Sequence, residues 1–499
     1  MNVQHFDVLI IGAGLSGIGT ACQIAGEFPN KSIAVLERRE RLGGTWDLFK
    51  YPGIRSDSDM FTFGYKFRPW HDLKVLAPGA TIRQYIEDTA TEYGVDNKIH
   101  YGLKIVAADW SSEHAQWTVT AEHEATGETR LYTAGFLISA TGYYNYDQGF
   151  RPSFPGIDRF QGQTVHPQHW PEDLDYTGKK VVVIGSGATA VTLVPSMAPT
   201  AAHVTMLQRS PSYIFAVPAL DKISAVLGRF LPAKWVFQCA RQRNISIQRA
   251  LYVACKRWPK MMRRFLLSQV RNHLGPDFDM THFTPKYMPW DERLCAVPDG
   301  DLFKVLKSGE ASIVTDHIDT FTEKGILLKS GQELEADIIV TATGLQIQTL
   351  GGLQLSVDGE AIELRDRMTY KAVMLEDVPN LAWIFGYTNA PWTLKSDLAG
   401  EYICRLLEHM DANGHAVATP RDLEDSALDD GIFDALQSGY VQRGKEKLPR
   451  QGARGPWKVL MNYKRDSRML REDTIDDSHL HFEAAAMPLE AGTLLEAAV

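Results

Sequence analysis

Residues 6–17 read FDVLIIGAGLSG, and this run decides the fold. Five of its first six residues are apolar, which predicts a buried parallel strand, and the glycines that follow open a helix. Gly12 permits the tight turn, Gly14 lets backbone approach a pyrophosphate, and Gly17 lets the helix pack against the strand. The first turn of such a helix offers N–H groups to phosphates. The run therefore predicts a dinucleotide-binding unit.

The next predicted strand ends on an acid. Residues 32–36 read SIAVL and are followed by Glu37, which is placed to hold ribose hydroxyls. The competing interpretation is a glycine-rich turn in an ordinary α/β fold. Strand, helix and terminal acid together favour the dinucleotide site.

Composition sets broad limits on the function. The 499 residues suggest about three structural units. A formal charge of −9 argues against a dedicated nucleic-acid binder. The five cysteines are scattered without a Cys-x-x-Cys pair, so we predict no zinc ribbon, no metal site and reduced thiols in the cytoplasm. We recognise no signal peptide and no run long enough to span a membrane.

A second dinucleotide unit follows at residues 180–190, which read KVVVIGSGATA. Its next strand, residues 204–210, reads VTMLQRS and carries Gln208 and Arg209 where the first unit has an acid. An acid would repel a 2′-phosphate, whereas arginine can pair with it. We therefore predict NADP(H) here, the alternative being that Arg209 is a solvated surface charge. FAD on the first unit and NADPH on the second is the simplest assignment, and it describes a flavoenzyme reduced by NADPH.

The order of these units predicts an α/β fold with two Rossmann-like dinucleotide-binding domains. Strands ending in Ala-Thr-Gly occur at residues 136–142 and again at residues 336–344, and the repeat suggests a return to the first unit. The FAD domain is then discontinuous, with the NADPH domain inserted. We assign residues 1–150 to the first part of the FAD domain, 151–329 to the NADPH domain with a helical insert at about 215–285, and 330–499 to the second part with a C-terminal tail.

Residues 221–272 form an unusual basic stretch. They carry twelve Lys or Arg and one acid, Asp221, interleaved with large apolar side chains. The pattern indicates helices with an apolar face. Three interpretations stay open: a lid packed on the core, a basic helix at a membrane surface, or a contact for self-association.

Two further motifs resemble a known family. Residues 38–59, which glycines and Pro52 make a loop, contain Gly43-Gly44-x-Trp46-x₄-Tyr51-Pro52-Gly53-x₃-Asp57. The junction after the first unit contains Phe160-x-Gly162-x₃-His166-x₃-Trp170-Pro171. These runs resemble the two fingerprints of type I Baeyer–Villiger monooxygenases, within the flavin-containing monooxygenase superfamily. Residues 46–49, 166–173 and 289–295 are similar to the branch of ethionamide-activating monooxygenases.

The resemblance implies an NADPH-dependent oxidoreductase. Such an enzyme reduces FAD with NADPH, captures O₂ as a flavin C4a-peroxide, and inserts oxygen next to a ketone carbonyl to give an ester or lactone. The same oxidant can oxygenate sulfides or thioamides. The alternative is a flavin monooxygenase that acts mainly on nitrogen or sulfur. A disulfide reductase is disfavoured because the sequence has no redox cysteine pair. The alternative that is not an enzyme is a flavin-binding redox sensor or interaction protein.

The resemblance also implies the site residues. Arg293 matches the catalytic arginine, and Asp57 its carboxylate partner. Residues expected to bind FAD or lie beside it are Gly12, Gly14, Ser16, Gly17, Glu37, Gly44, Thr45, Trp46, Asp47, Leu48, Ser56, Asp57 and Ile105. Residues expected to hold NADPH are Ile184, Gly185, Ser186, Gly187, Ala188, Thr189, Ala190, Arg209 and Ser210, with Arg55 near the nicotinamide side.

Three other residues are given weaker roles by the resemblance. Trp457 and Asn462 fall where the family has a loop that touches NADP. His166 is expected to be structural rather than catalytic. One departure is Glu292, which stands where many family members have a basic residue and puts in doubt an additional 2′-phosphate contact.

Overall fold

A computed structural model describes residues 3–433 and 436–484 of the chain. Its strands are β1 (Gln4–Ile11), β2 (Ile33–Leu36), β3 (Ile99–His100), β4 (Leu103–Ser111), β5 (Gln116–His123), β6 (Thr129–Ser139), β7 (Gln163–Val165), β8 (Lys180–Ile184), β9 (His203–Gln208), β10 (Ile214–Val217), β11 (Cys295–Pro298), β12 (Ala311–Thr315), β13 (Ile318–Phe321), β14 (Gly325–Leu328), β15 (Glu333–Glu335), β16 (Ile338–Thr341), β17 (Gln354–Val357), β18 (Glu360–Ala361), β19 (Thr369–Tyr370), β20 (Met374–Leu375), β21 (Leu381–Trp383), β22 (His415–Pro420), β23 (Ala427–Gly431), β24 (Arg450–Gly452) and β25 (Leu480–Ala484).

The helices connect and cover these strands. They are α1 (Leu15–Glu27), α2 (Thr45–Leu48), α3 (Met60–Phe63), α4 (Gly79–Glu92), α5 (Ala188–Met197), α6 (Lys222–Leu227), α7 (Ala233–Arg257), α8 (Pro259–Leu274), α9 (Asp301–Ser308), α10 (Trp392–Asn413), α11 (Gly439–Gly444) and α12 (Tyr463–Arg471).

The first sheet is built around β1. Strands β6, β1, β2 and β3 lie side by side and parallel, with β21 parallel to the end of β6. Strands β5, β4, β17 and β18 extend the sheet on the far side of β6. Side chains of β1 alternate between two cores: Val8 and Ile10 pack on one face, and Leu9 and Ile11 on the other. A strand buried on both faces explains the continuous apolar run in the sequence.

The second sheet has the order β12-β9-β8-β16-β7, and all its strands are parallel. The chain therefore leaves the first sheet after β6, forms the second, and returns when β17 pairs with β4. The predicted α/β fold, with two dinucleotide-type sheets and a discontinuous first unit, is confirmed.

The predicted return at residue 330 comes too early. Strand β16 lies inside the second sheet, between β7 and β8. The prediction was wrong because the two Ala-Thr-Gly endings occupy equivalent positions in two different sheets. A Cβ on Gly12 would lie 2.9 Å from the oxygen of Ala140, and one on Gly185 would lie 2.4 Å from the oxygen of Ala342. Each ending thus passes the glycine turn of its own sheet.

Three other segments refine the prediction. The loop at 38–59 includes a single helical turn, α2, whose start follows two glycines with positive φ, Gly43 and Gly44. The basic stretch folds as α6, α7 and α8, next to the parallel pair β10 and β11. The predicted C-terminal tail is described only to residue 484, in β25, and residues 485–499 lie outside the described residues.

Candidate functional site

The turn after β1 leaves a helix terminus open. Gly12 has a φ of +99°, a conformation that side chains rarely adopt, and its N–H donates to the oxygen of Leu36 at 2.8 Å. A Cβ on Gly17 would lie 1.8 Å from the oxygen of Gly12, so only glycine allows α1 this close to the turn. Gly14 precedes α1 without a side-chain cap, and the first turn has no acid. This terminus suits a phosphate group.

A cavity of about 240 Å³ opens in front of this helix. Predicted site residues that line it are Gly12, Gly14, Ser16, Glu37, Gly44, Thr45, Trp46 and Ile105. A Cβ on Gly44 would lie 3.1 Å from the Cα of Gly14, so these two backbones meet closely beside the helix terminus. The structure thus brings together eight residues from four separated stretches of sequence.

Glu37 supports the turn as well as facing the cavity. Its buried carboxylate accepts hydrogen bonds from the backbone N–H of Ala13 at 2.6 Å and of Arg39 at 2.9 Å. Burial raises the pKa of this carboxyl, and the two N–H donors oppose the shift. Glu37 therefore holds the turn after β1 in place and also presents a carboxylate to the cavity.

Aromatic rings that the sequence did not reveal form one wall of the cavity. Trp392, at the start of α10, stacks on Tyr143 with ring centres 5.0 Å apart and planes 12° apart. Its indole N–H donates to the Ser16 hydroxyl at 2.8 Å, which ties α10 to the start of α1. Tyr143 directly follows the first Ala-Thr-Gly ending, so that motif could have indicated it. No motif marks Trp392.

Several residues predicted to bind a cofactor lie away from this cavity. Asp47 is buried and pairs with Arg39 at 2.6 Å and Arg41 at 3.1 Å. Arg55 pairs with Asp301 at 2.8 Å, at the start of α9. The remaining two are Leu48, which packs in the core of the second sheet, and Ser56, whose hydroxyl donates to the oxygen of Ser58 at 2.8 Å. These four residues shape the loop between the two sheets.

The predicted catalytic pair faces a second cavity of about 550 Å³. Arg293 and Asp57 both line it, among mainly apolar side chains. Pro391 lines this cavity and the next residue, Trp392, lines the first, so the two cavities adjoin. The catalytic candidates therefore lie beside the candidate flavin site, in a chamber with room for a small organic molecule.

The guanidinium of Arg293 has a hydrogen-bond donor that is available to a ligand. Its Nε is buried and has no hydrogen-bond partner in the part of the chain that the structure describes. Burial lowers the pKa of the guanidinium, whereas the negative charge of Asp57 raises it. Arg293 thus keeps its positive charge in an apolar chamber, and Asp57 acts on it through charge.

The second sheet repeats the open helix terminus. Gly185, with a φ of +146°, follows Ile184 at the end of β8. Gly187 precedes α5 without a side-chain cap, and again no acid lies in the first turn. Ala188, Thr189 and Ala190 form that first turn, and the Ser186 hydroxyl lies 3.1 Å from the Ser212 hydroxyl. This terminus also suits a phosphate.

Arg209 and Ser210 are exposed directly after β9. Gln208, which replaces the acid of the first unit, is buried and donates to the oxygen of His282 at 2.7 Å and to Thr315 at 2.8 Å. It therefore holds the strand end. Arg209 lies close to Glu292 and Arg443. Burial raises the pKa of Glu292, and the positive charge of Arg209 opposes that rise. Burial lowers the pKa of Arg443, and the positive charge of Arg209 lowers it further.

His166 lies in a tight packing environment between the two sheets. Its Nε2 lies 3.2 Å from the oxygen of Gly344, and its Nδ1 accepts a hydrogen bond from the backbone N–H of Gln168 at 3.2 Å. Burial lowers the pKa of His166 to about 4, so the ring is neutral at pH 7. These contacts fit a structural residue.

Trp457 and Asn462 lie outside both cavities. Trp457 is buried against Tyr370, with ring centres 5.5 Å apart, and Asn462 caps α12 by accepting from the N–H of Arg465 at 3.2 Å. Within residues 3–433 and 436–484, no group of three His, Cys, Asp or Glu side chains could hold a metal ion. None of the helices described has the length and apolar character to cross a bilayer.

Comparison with known proteins agrees with this geometry. The family model of flavin-binding monooxygenase-like proteins matches residues 6–350. The putative FAD-containing monooxygenase MymA of Mycobacterium tuberculosis H37Rv is 71% identical over 487 residues, which are 97% of this chain and 98% of that protein. The FAD-containing monooxygenase EthA of Mycolicibacterium smegmatis is 51% identical over 481 residues, covering 96% of this chain and 97% of that protein.

The fold also matches a solved structure. An oxidised steroid monooxygenase bound to NADP superposes with a TM-score of 0.77, covering 96% of this chain and 100% of that chain at 20% sequence identity. At this identity the likeness concerns the fold.

Proposed function

Because the chain belongs to the flavin-binding monooxygenase-like family, we propose that it is a Baeyer–Villiger monooxygenase that uses FAD, NADPH and O₂. Its substrates are small-molecule ketones of any chain length, which it converts to esters or lactones, and it also oxygenates sulfides or thioamides. Reduced FAD supplies the activation of oxygen when bound. The chain's own residues bind the substrate, orient it, exclude water and stabilise negative charge.

The observation that carries this proposal is the environment of Arg293. Arg293 is half-buried, its buried Nε has no hydrogen-bond partner among the described residues, and it faces a mainly apolar cavity that adjoins the candidate flavin cavity. A fixed cation in a water-poor site stabilises negative charge that develops on a substrate oxygen. Oxygen insertion at a ketone develops such charge on the former carbonyl oxygen, so Arg293 meets the main demand of the reaction.

Asp57 acts as a positioning residue in this proposal. Its carboxylate raises the pKa of Arg293 and lines the same cavity. Removing it would leave the cation in place but less firmly oriented. Asp57→Asn should therefore lower turnover less than Arg293→Ala does.

The two open helix termini support the cofactor assignment. Phosphates of FAD would lie at the start of α1, with Glu37 at a ribose and Ile105 beside the adenine. NADPH would bind at the start of α5, with Arg209 and Ser210 at its 2′-phosphate. We also keep the predicted division into a discontinuous FAD domain and an NADPH domain, with the second boundary moved beyond β16, and we place the enzyme in the cytoplasm.

The test is product analysis with two substrates. Purified holoenzyme would be supplied with NADPH, oxygen and either phenylacetone or a methyl aryl sulfide, and esters and sulfoxides would be quantified by mass spectrometry against NADPH consumed. We expect ester from the ketone. Arg293→Ala should lower ester formation on the order of 10²-fold or more, while NADPH oxidation continues.

Arg130→Ala is the matched control, because Arg130 is an exposed arginine that pairs with Glu128 at 2.9 Å and lines neither cavity. Full ester formation by Arg293→Ala would refute the role of Arg293. Sulfoxide without any ester from the wild type would instead establish the heteroatom monooxygenase.

A further inference from the structure

The second cavity opens on the surface through apolar side chains. Leu220, Ile223 and Ile247 line the cavity that contains Arg293 and are nevertheless 52%, 58% and 58% exposed. They come from the segment before α6, from α6 and from α7. A substrate that reaches Arg293 by this route therefore passes between these helices.

The apolar surface continues beyond this mouth. Val226, one turn after Ile223 on α6, is 53% exposed, and Phe230, just beyond the helix, is 79% exposed. Further exposed apolar side chains of the same segment are Leu231, Trp235, Val253, Trp258, Met261 and Phe265. Single exposed apolar residues need no explanation, but this many in one segment that also lines a cavity mouth indicate a binding surface.

The same segment is strongly basic. Residues 222–274 contain no Asp or Glu. Its exposed basic side chains are Lys222, Arg229, Lys234, Arg249, Lys256, Arg257, Lys260, Arg264 and Arg271. Exposed apolar side chains interleaved with lysine and arginine are typical of helices that lie in the interface of an anionic bilayer.

We propose that residues 220–265 dock on an anionic lipid bilayer, and that apolar substrates enter the Arg293 cavity directly from the lipid through the mouth at Leu220, Ile223 and Ile247. The part about substrate entry rests on the proposed oxygenase function. Docking is peripheral, because no described helix can span the bilayer. The substrates favoured by this route are ketones or sulfides with long apolar chains, which partition into membranes.

Charge favours a lipid surface over a second copy of the chain. In a symmetric dimer the same patch meets itself, and here that would bring the basic side chains of two copies together. Like charges across an interface are unfavourable, whereas anionic headgroups complement them.

Vesicle flotation of the FAD-loaded enzyme tests the docking. We expect binding to vesicles that contain phosphatidylglycerol, weaker binding to pure phosphatidylcholine, and release as salt is raised. The variant Val226→Glu/Phe230→Glu alters the surface without touching the cavity lining, and it should bind about tenfold more weakly or worse. Leu423→Glu is the matched control, since Leu423 is 64% exposed outside the patch.

Activity separates docking from catalysis. With vesicles present, Val226→Glu/Phe230→Glu should raise the KM for a long-chain ketone and leave that for a short, water-soluble ketone unchanged. Failure of the wild type to float, or equal flotation by the variant, would overturn the proposal. So would a wild-type dimer in light scattering that the variant abolishes without any vesicle binding. Flotation without any oxygenated product would leave docking intact and reject the proposed function alone.

Discussion

Arg209 is the residue on which we expect the choice between the two nicotinamide cofactors to depend. It is exposed after β9, and the neighbouring Gln208 is engaged within the protein. A charge-assisted contact to a phosphate contributes about 1.5–3 kcal/mol. We expect Arg209→Ala to raise the KM for NADPH by roughly 10- to 100-fold and to leave the KM for NADH unchanged, in steady-state kinetics with both cofactors.

Arg443 provides the control for that experiment. It lies near enough to Arg209 for the two charges to interact, and its guanidinium covers the ring of Phe150 at 3.5 Å. Arg443→Ala should have little effect on the KM for NADPH. If it has the larger effect of the two, then Arg443 and not Arg209 binds the 2′-phosphate.

His166 makes the stability of the protein depend on pH. Burial lowers its pKa from an ordinary value near 6.5 to about 4, so the unfolded chain binds a proton more readily than the folded one. Its contribution to stability is complete above pH 6.5 and is lost as pH falls towards 4. Between pH 7 and pH 5 the wild type should lose about 2 kcal/mol more unfolding free energy than His166→Gln.

Urea unfolding at the two pH values measures this difference. His114→Gln, at an exposed histidine in the turn before β5, is the control and should follow the wild type. An identical pH dependence for wild type and His166→Gln would mean that His166 is not held neutral by burial.

At the scale of elements, the two glycines in the turn between β8 and α5 serve different purposes. A Cβ on Gly185 would lie 2.4 Å from the oxygen of Ala342, in a residue with positive φ, so alanine there is strained. A Cβ on Gly187 would meet nothing within 4 Å, and the φ of Gly187 is −85°. The fold therefore requires glycine at 185 but tolerates alanine at 187.

This contrast predicts separate effects of the two substitutions. Gly187→Ala should change the unfolding free energy by less than about 1 kcal/mol and raise the KM for NADPH about tenfold or more, because the methyl group occupies the space where backbone approaches the pyrophosphate. Gly185→Ala should lower the melting temperature. Differential scanning fluorimetry with NADPH titration tests both, and normal NADPH affinity in folded Gly187→Ala would contradict the cofactor position.

Sequence periodicity predicted the elements that carry local signals and missed those that depend on packing. Strands β1 and β8 were predictable because an apolar run before a glycine turn has few alternatives. Trp392 was not, because it reaches the candidate flavin cavity through the packing of α10 on α1, almost 380 residues away. The assignment of β16 to the first sheet failed because the Ala-Thr-Gly ending reports a close backbone approach and not the sheet to which it belongs.

For the whole molecule, the helical insert has one face on the core and another in solvent. Phe237 of α7 packs against Phe61 of α3, with ring centres 6.3 Å apart. Arg241 pairs with Asp397 of α10 at 2.9 Å and donates to the oxygen of Gly64 at 2.7 Å. The lid and the membrane interpretations of this stretch are thus compatible, because they concern opposite faces.

The buried pair of Arg241 and Asp397 holds the insert to the first sheet's helices. Both side chains are less than a tenth exposed, and burial raises the pKa of Asp397 to about 6 despite the opposing charge of Arg241. Removing one partner of a buried pair costs about 3–5 kcal/mol. Arg241→Met should therefore strongly lower the unfolding free energy at pH 8 and speed proteolysis within residues 222–274.

The size of that loss should depend on pH and on the partner. Without the guanidinium the pKa of Asp397 rises further, so the variant takes up a proton that the wild type lacks, and its deficit should shrink as pH falls from 8 to 5.5. Replacing both partners, in Arg241→Met/Asp397→Leu, should recover most of the stability, because no charge is then left unpaired. Urea unfolding of the four proteins at both pH values completes the double-mutant cycle. Two results would contradict this role of the ion pair: a loss of unfolding free energy in Arg241→Met that does not change with pH, or a double variant as unstable as Arg241→Met. Either would mean that the insert is held by the hydrogen bond from Arg241 to the backbone oxygen of Gly64 and not by the pairing with Asp397.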